Sequence, residues 1–528
     1  MFDNIKECRA FGISRLCAAE AARHAVRAQA QCRIRQSLAA FPYSFFHPQP
    51  HFWKTIAMNL HPEVDTAAAL ACDAAGSWAA SGGPRRAALL DGLAEALESD
   101  RAALVALADS ETHLGAARLN GELDRTIFQL RGFAEVVLEG VPYRTVIDEA
   151  VAGMPPAGHP AMVLARVPLG PVAMFSASNF PFAFSVLGGD TASALAAGCP
   201  VVVKGHPAHP RLSAAVAELA RQVLVTQGLP EGLIGHVDQD SYEAGIALVT
   251  HPAIQAVAFT GSLGGGKALA AAIQSRAQPI PFYGELGSVN PMVVMPQALE
   301  GKVNECAKVL AMSMTQGAGQ FCTSPGLVVL LDSEPARQLV DELGRQVDQI
   351  ALHPMLSDRI QHGFEAGVSA LSSSADVQVK TARGVKEGAT TGFVGVTTAS
   401  AFLNNEGLRH EVFGSSCLCI MASSVKEMAQ VLRAIGGSLT VTLWGVDSDS
   451  DENRLILRAA QNVAGRVLFK GVPTGVAVTR AQHHGGPWPS STQPLFTSVG
   501  YAAIDRFLRP VALQDAPDWV LDRKGIPV

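Results

Sequence analysis

The feature that most constrains this chain is its alternation of short apolar segments with helix-length ones. Strands are predicted at Val163–Val167, Val172–Phe175, Val201–Val203, Leu233–Val237 and Ala256–Phe259, and helices at Phe184–Ala197, Arg211–Gln227 and Lys267–Ser275. Strands joined through helices pair in parallel, and a parallel sheet must be covered on both faces. After Glu285 the alternation restarts with a strand at Pro291–Met295, a helix over Lys302–Met314, a strand at Leu327–Leu331 and a helix over Glu334–Ile350. A second α/β domain follows from that. Upstream, Leu89, Leu93 and Leu97 after Pro84 keep helical spacing.

Composition excludes several classes. With 48% hydrophobic and 17% charged residues the chain is not intrinsically disordered. A net charge of −6 gives no basic field for nucleic acid. The nine cysteines are sparse and form no CxxC pair, so neither a disulfide framework nor a metal site is expected, and a reduced cytoplasmic compartment fits best. The 23 uncharged residues between Arg166 and Asp190 could span a bilayer by length alone. Pro168, Gly170, Pro171, Ser178, Asn179 and Pro181 interrupt them, so strand, polar loop and buried helix are expected, with no membrane partner. Residues 1–57 carry an Arg/Ala-rich run and an aromatic cluster but no signal-peptide pattern, and Asp3, Glu7 and Glu20 argue against a transit peptide. They read as a non-catalytic extension, with Met58 as an alternative start.

Several short motifs carry chemistry. In GAGQFCTSPG, Cys322 lies between small residues that allow close backbone approach to a bound group. A cysteine amide there can face a developing oxyanion. In FYGELGSVNP, Glu285 is flanked by glycine and apolar residues, and poor solvation should raise its pKa toward that of a general base. In SASNFPF, Asn179 offers an uncharged amide donor, or an ordinary Asx turn. Lys204 ends a predicted buried strand, where ligands of such sheets bind. FTGSLGGGK is strand, glycine-rich turn and helix, an arrangement that meets pyrophosphate, although it is neither GxGxxG nor a P-loop. HEVFGSS, with Glu411 and Phe413, says little alone.

Together and in this order, these blocks resemble the aldehyde dehydrogenase superfamily from about residue 62 to the C-terminus. Finer stretches such as ETHLGAARLNGELDRTIFQLRGFAE, GQFCTSPGLVV and HHGGPWP are similar to the branch of 2,5-dioxopentanoate (α-ketoglutaric semialdehyde) dehydrogenases and the NADP-linked fatty aldehyde dehydrogenase. The resemblance implies an α/β fold: a Rossmann-type cofactor domain (58–140 and 164–282), an α/β catalytic domain (283–484) and a small oligomerisation arm (141–163 and 485–528). It also implies a homodimer or homotetramer.

The resemblance further implies roles. Cys322 would attack the aldehyde, Asn179 and the cysteine amide would hold the oxyanion, and Glu285 would activate water against the thioester. For the cofactor, Gly261, Ser262 and Gly266 would face the pyrophosphate, Glu411 the nicotinamide ribose and Phe413 the ring beside it. Lys204, with His206 nearby, would reach the adenosine ribose. Pro207 stands where NAD-preferring relatives commonly carry a glutamate, so NADP is expected over NAD. Departures are Ser288 for a glycine, Ser415 for a proline, Lys470 for an asparagine, and Trp444 and His113, which bear on packing or on the substrate tunnel.

A dicarbonyl acid substrate needs an arginine near the aldehyde, and Arg125 and Arg131 are the candidates. The alternative substrate is a medium- or long-chain aldehyde. Two other classes compete: a cysteine (thio)esterase, which would need a histidine base beside Cys322 and no dinucleotide turn, and a silent paralogue.

Overall fold

The computed structural model describes residues 61–520, apart from 144, 239, 353 and 382–390. The readings on residues 1–57 therefore lie outside the described residues. Four helices open the described chain: Pro62–Ala79, Gly82–Ser99, Arg101–Thr112 and Ala116–Glu139. Leu89, Leu93 and Leu97 are fully buried in a core that also takes Leu195, Val201 and Val203 from the first sheet region. The last of these helices stops at Gly140, whose φ of 70° is the left-handed turn that glycine tolerates.

The first sheet has five parallel strands in the spatial order Ile234–Val237, Val201–Lys204, Val172–Phe175, Ala256–Thr260 and Phe282–Glu285. In chain order this is 3-2-1-4-5, the doubly wound arrangement. The order in which strands are added reverses between Val172–Phe175 and Ala256–Thr260, and ligands of such sheets bind beyond the carboxyl ends at that point. Val172–Phe175 and Val201–Lys204 are buried throughout, as strands covered on both faces must be. Register sets Lys204 opposite Phe175, and Glu285 opposite Thr260. The polar strand ends thus gather on one edge.

The second sheet has seven strands. Phe393–Thr398, Ser416–Ala422, Leu327–Leu331, Met292–Val294, Ser438–Trp444 and Ala464–Leu468 run parallel, with the antiparallel Gln378–Val379 at the edge. A third sheet joins Val146–Asp148, Met162–Pro168 and Leu508–Gln514 antiparallel. No helix among the described residues is long and apolar enough to cross a membrane.

Two expectations shift. The predicted helix Phe184–Ala197 begins only at Gly189. Before it, the chain forms a tight loop in which the Ala177 amide donates to the Phe184 carbonyl and the Gly189 amide to that of Ala183. A Cβ on Gly188 would strike the Ala183 carbonyl, so only glycine allows this fold-back. The helix predicted from Lys267 instead starts at Leu263, because Ser262 caps it by accepting from the Gly265 amide at 3.2 Å.

Candidate active site

Cys322 follows a strained approach in which Gly317, Ala318 and Gly319 all have positive φ, near 59°, 53° and 71°. A Cβ on Gly319 would overlap the backbone of Gly414, so this glycine is needed where the cysteine loop meets the segment after Phe413. The far side of the loop is held by Asn290, fully buried, whose Nδ2 donates to the carbonyls of Cys322 (2.8 Å) and Ser324 (3.0 Å). Ser288 donates to Asn290 Oδ1 at 2.8 Å and accepts from the Leu439 amide. The serine that departs from the family pattern therefore ties the glutamate segment to the second sheet.

Asn179 sits in the loop after the first strand. Its side chain makes no Asx turn; Nδ2 donates to the Gln320 carbonyl at 3.0 Å, two residues before the cysteine. An amide nitrogen has two N–H groups, so one remains for a ligand. Glu122, on the helix Ala116–Glu139, braces the loop by accepting from the Phe182 and Ala183 amides at 2.7 and 3.0 Å. Burial pushes the Glu122 carboxyl up to about 7, against the pull of those two amides and of Arg118 and Arg125.

Around the sulfur the structure brings in a residue to which the sequence reading gave no role. His484 Nε2 lies 3.5 Å from Cys322 Sγ and 2.9 Å from Glu285 Oε1. Ser498 Oγ donates to the other Glu285 oxygen at 2.6 Å. Glu285 is buried, and the imidazole of His484 is sealed from solvent. The sequence reading expected burial to raise the Glu285 pKa. Burial does push upward, but the neighbouring His484 and the hydrogen bonds from His484, Ser498 and Cys322 outweigh it, and the carboxyl falls below its ordinary value. The thiol moves the other way: burial and the Glu285 charge push Cys322 well up, with Arg125 opposing.

The resting pair is therefore carboxylate and thiol. An ionised carboxylate only accepts, so the 2.9 Å contact requires the proton on His484 Nε2, and the thiol proton points to Glu285. His484 then holds the Glu285 carboxylate in place. A histidine near the cysteine was expected to mark a hydrolase. It does not discriminate, since hydrolysis of a thioester also ends aldehyde oxidation to an acid. The HHGGPWP motif was the available signal, but its histidine lies 162 residues beyond Cys322 in the chain and approaches it only through folding. Three such ligand types close together could also hold a metal ion; none was expected.

The nucleotide-side residues gather as the sheet dictates. Lys204 is nearly buried, makes no ion pair among the described residues, and is drawn down by burial with Asp240 opposing. His206 Nδ1 accepts from the Ala208 amide at 3.1 Å. Burial, then His209, Lys204 and Arg359, push His206 down to about 3, so it stays neutral and keeps its proton on Nε2. Arg359 stacks on the exposed Tyr242 ring at 5.2 Å. Thr260 Oγ1 and His236 Nε2 are buried without a partner among the described residues. Ser262 caps its helix through Gly265, and helix geometry leaves the amides of Leu263 and Gly264 without a partner in that helix. Such donors fit a dinucleotide pyrophosphate. Gly266 packs closely on Leu286, and Gly261 on Phe259.

Glu411 and Phe413 line a cleft with Ser288, Gly319 and Phe321. Gly287 lets the Glu411 carboxylate come close: a Cβ there would sit 2.5 Å from its Oε2. Burial pushes Glu411 up to about 7, with the Ser288 amide opposing.

Comparison with known proteins decides the family. The model of the aldehyde dehydrogenase family matches residues 49–449. The chain is 41% identical over 464 residues to alpha-ketoglutaric semialdehyde dehydrogenase 2 of Azospirillum brasilense, covering 87% of this chain and 88% of that one. It is 38% identical over 471 residues to alpha-ketoglutaric semialdehyde dehydrogenase of Acinetobacter baylyi, with the same coverage of 87% and 88%. This chain belongs to the aldehyde dehydrogenase family. Solved structures carry the same fold: aldehyde dehydrogenase 21 of Physcomitrella patens, in complex with the reaction product succinate, has a TM-score of 0.71 at 20% identity over 86% of this chain and 90% of that one. 1-Pyrroline-5-carboxylate dehydrogenase from Thermus with bound NAD gives 0.70 at 20% identity over 86% and 85%.

This aldehyde dehydrogenase is thus an NAD(P)-dependent oxidoreductase acting on a small aldehyde. The two substrate arginines separate. Arg125 is partly buried and lies within electrostatic reach of Cys322, Glu122 and Glu285. Arg131, six residues on, is exposed and faces Asp91 and Glu98, because six residues turn a helix to a different side. It is not placed near the aldehyde. Of the two departures, His113 is exposed at a helix end, while Trp444 packs on a buried cluster of the second sheet and its Nε1 donates to the Gly471 carbonyl at 2.7 Å. Within the stretch expected to form the arm, residues 490–498 lie against the Glu285 strand end: Glu285 bridges to Ser491, the Leu286 amide donates to the Ser490 carbonyl and Ser498 donates to the Glu285 carboxylate.

Proposed function

We propose that this aldehyde dehydrogenase oxidises 2,5-dioxopentanoate (α-ketoglutaric semialdehyde) to 2-oxoglutarate, preferring NADP. The contiguous contact of Cys322, His484 and Glu285 carries the chemical reading. The names of the two relatives supply the substrate class. As the sulfur bonds to the aldehyde carbon, its proton passes to Glu285 Oε, which His484 and Ser498 hold in place. The free Asn179 N–H and the cysteine amide receive the oxyanion that forms. Bound NADP supplies a hydride acceptor. Collapse of the oxyanion leaves a thioester on Cys322, and Glu285, its proton passed on to water, then takes a proton from the water that cleaves it. Aldehyde, water and NADP become acid, NADPH and a proton.

The NADP preference rests on Lys204 without an ion pair among the described residues, on Pro207 in place of an anion, and on Arg359 near His206. A 2′-phosphate meets cations there and no adjacent carboxylate at position 207. Ser262, Gly261, Gly266, Glu411 and Phe413 complete the cofactor site in this reading. The third sheet supports assembly into a homodimer or homotetramer: Val146, Ile147 and Leu164 are about half exposed, at 57%, 53% and 45%. The free thiols described here accord with a cytoplasmic setting. A panel of 2,5-dioxopentanoate, succinic semialdehyde and hexanal at matched concentrations, each with NADP and NAD, tests the reading. Highest kcat/KM for 2,5-dioxopentanoate with NADP is expected; a flat or alkyl-favouring profile, or NAD preference, contradicts it.

A further inference from the structure

One face of the helix Ala116–Glu139 carries Arg118, Glu122 and Arg125, spaced i, i+4 and i+7 so that they project together. Arg118 lies between two rings next to the catalytic pair: its guanidinium is 5.3 Å from the Phe180 ring and 4.7 Å from the Phe321 ring. Phe180 adjoins Asn179 and Phe321 adjoins Cys322. Arg118 Nη2 donates to the Asn179 carbonyl at 2.6 Å, while Nε and Nη1 are buried with no partner among the described residues. Arg125 packs over Phe184 at 5.5 Å, and its Nε and Nη2 are likewise buried and unpartnered. Four guanidinium nitrogens are therefore buried beside the loops of Asn179 and Cys322 with no protein partner among the described residues. Glu122 satisfies none of them, because one of its oxygens is taken by the Phe182 and Ala183 amides and the other is unpartnered as well.

Buried donors left unpaired are costly, and where they persist in a native structure they point to a functional role or to a bound water, ion or ligand. A planar guanidinium matches a carboxylate through two parallel N–H bonds. Stacking on Phe180 and Phe321 fixes the plane of Arg118 before any ligand arrives.

We propose that Arg118 and Arg125 together form the subsite that reads the carboxylate of an aldehyde acid, making this helix face the determinant of acid over alkyl substrates. The inference rests on the aldehyde-oxidation reading above and assigns its substrate-discriminating residues. Glu122 keeps the Asn179 loop in place between the two cations. An alkyl aldehyde leaves all four donors unpaired, which is how a site built for a polar group rejects an apolar one.

The test compares kcat/KM for 2,5-dioxopentanoate and for hexanal in wild type, Arg118→Met and Arg125→Met. The acid-to-alkyl ratio is expected to fall about 100-fold in each, roughly the discrimination a lost buried charged bond carries. Binding of 2-oxoglutarate to the Cys322→Ala protein, read by calorimetry, should weaken by a similar factor when either arginine is also replaced. If a methionine variant fails to fold, judged by loss of NADP binding, Arg118→Lys and Arg125→Lys are read instead. They keep charge without the fork, and an intermediate loss is expected. A ratio within threefold of wild type in folded variants overturns the arginine pair and leaves the substrate reading intact. A wild-type enzyme with no acid preference overturns both.

Discussion

Cys322 and Glu285 have opposed protonation tendencies, and the reaction depends on that opposition. The thiol is pushed up by burial and by the Glu285 charge. Glu285 is pushed up by burial but held below its ordinary value by His484, Ser498 and Cys322. Removing an anion from beside a thiol lowers the thiol pKa. Iodoacetamide should therefore label Cys322 slowly at neutral pH and faster as pH rises, and Glu285→Gln should shift that profile to lower pH. A profile already flat at neutral pH would show a resting thiolate and contradict the assignment. Because the folded Glu285 pKa is depressed, its contribution to stability is present above the unfolded carboxyl value, about 4.3, and is lost as pH falls through the folded value. The stability gap between wild type and Glu285→Gln should close in acid, as measured by urea unfolding. In the proposed mechanism His484 orients Glu285 rather than reacting. His484→Ala should lower kcat on the order of 10²-fold, and His484→Asn, which keeps a donor, should recover part of it.

At the scale of elements, the strand ends and glycine turns place chemistry that single residues cannot. Ser262→Ala removes the cap of Leu263–Gln274; the expected loss is about 1 kcal/mol of stability together with weaker NADP binding, read by denaturation and by nucleotide fluorescence. Gly319→Ala forces a side chain into left-handed backbone against Gly414, costing about 1–3 kcal/mol from the backbone conformation alone. Activity should fall with it, and unchanged stability would show that the junction relaxes freely. Val172–Phe175 and Leu327–Leu331 were legible at their observed bounds because buried parallel strands read as unbroken apolar runs. The polar loop after Val172–Phe175 was expected, but its extension through residues 184–188 was not, since the fold-back bonds of Ala177 to Phe184 and of Gly189 to Ala183 leave no mark in the apolar pattern. Arg131 failed for a related reason: RTIFQLR gives two arginines, and only the orientation of the packed helix separates the inward one from the outward one. Arg118 lies a further seven positions upstream on that inward face and carries no mark in the sequence.

At the scale of the molecule, Glu285 ends the last strand of the five-stranded sheet, and Asn290 begins the approach to the seven-stranded one. The site therefore forms where two sheets meet, and the C-terminal stretch closes it by delivering His484 and Ser498. Cys322 and Glu285 became candidates only through the ordered set of motifs and the family resemblance it carries, since neither motif is decisive alone. Partners 199 residues away in the chain are brought in by tertiary folding alone, and a single sequence does not print that proximity. The three-stranded sheet bears on assembly. Light scattering should report a dimer or tetramer, and Ile147→Asp with Leu164→Asp should shift it toward monomer; an unshifted particle would place the interface elsewhere.

The central claim is that Cys322 becomes acylated while two electrons leave for the nucleotide. Wild-type enzyme mixed with NADP and 2,5-dioxopentanoate in a single turnover, acid-quenched within milliseconds and mapped by peptide mass spectrometry, tests it directly. The account predicts a thioester adduct of the 2-oxoglutaryl group on the Cys322 peptide, with NADPH formed in equal amount and the adduct gone at longer times. NADPH without any adduct at Cys322, or an adduct on another residue, would contradict it.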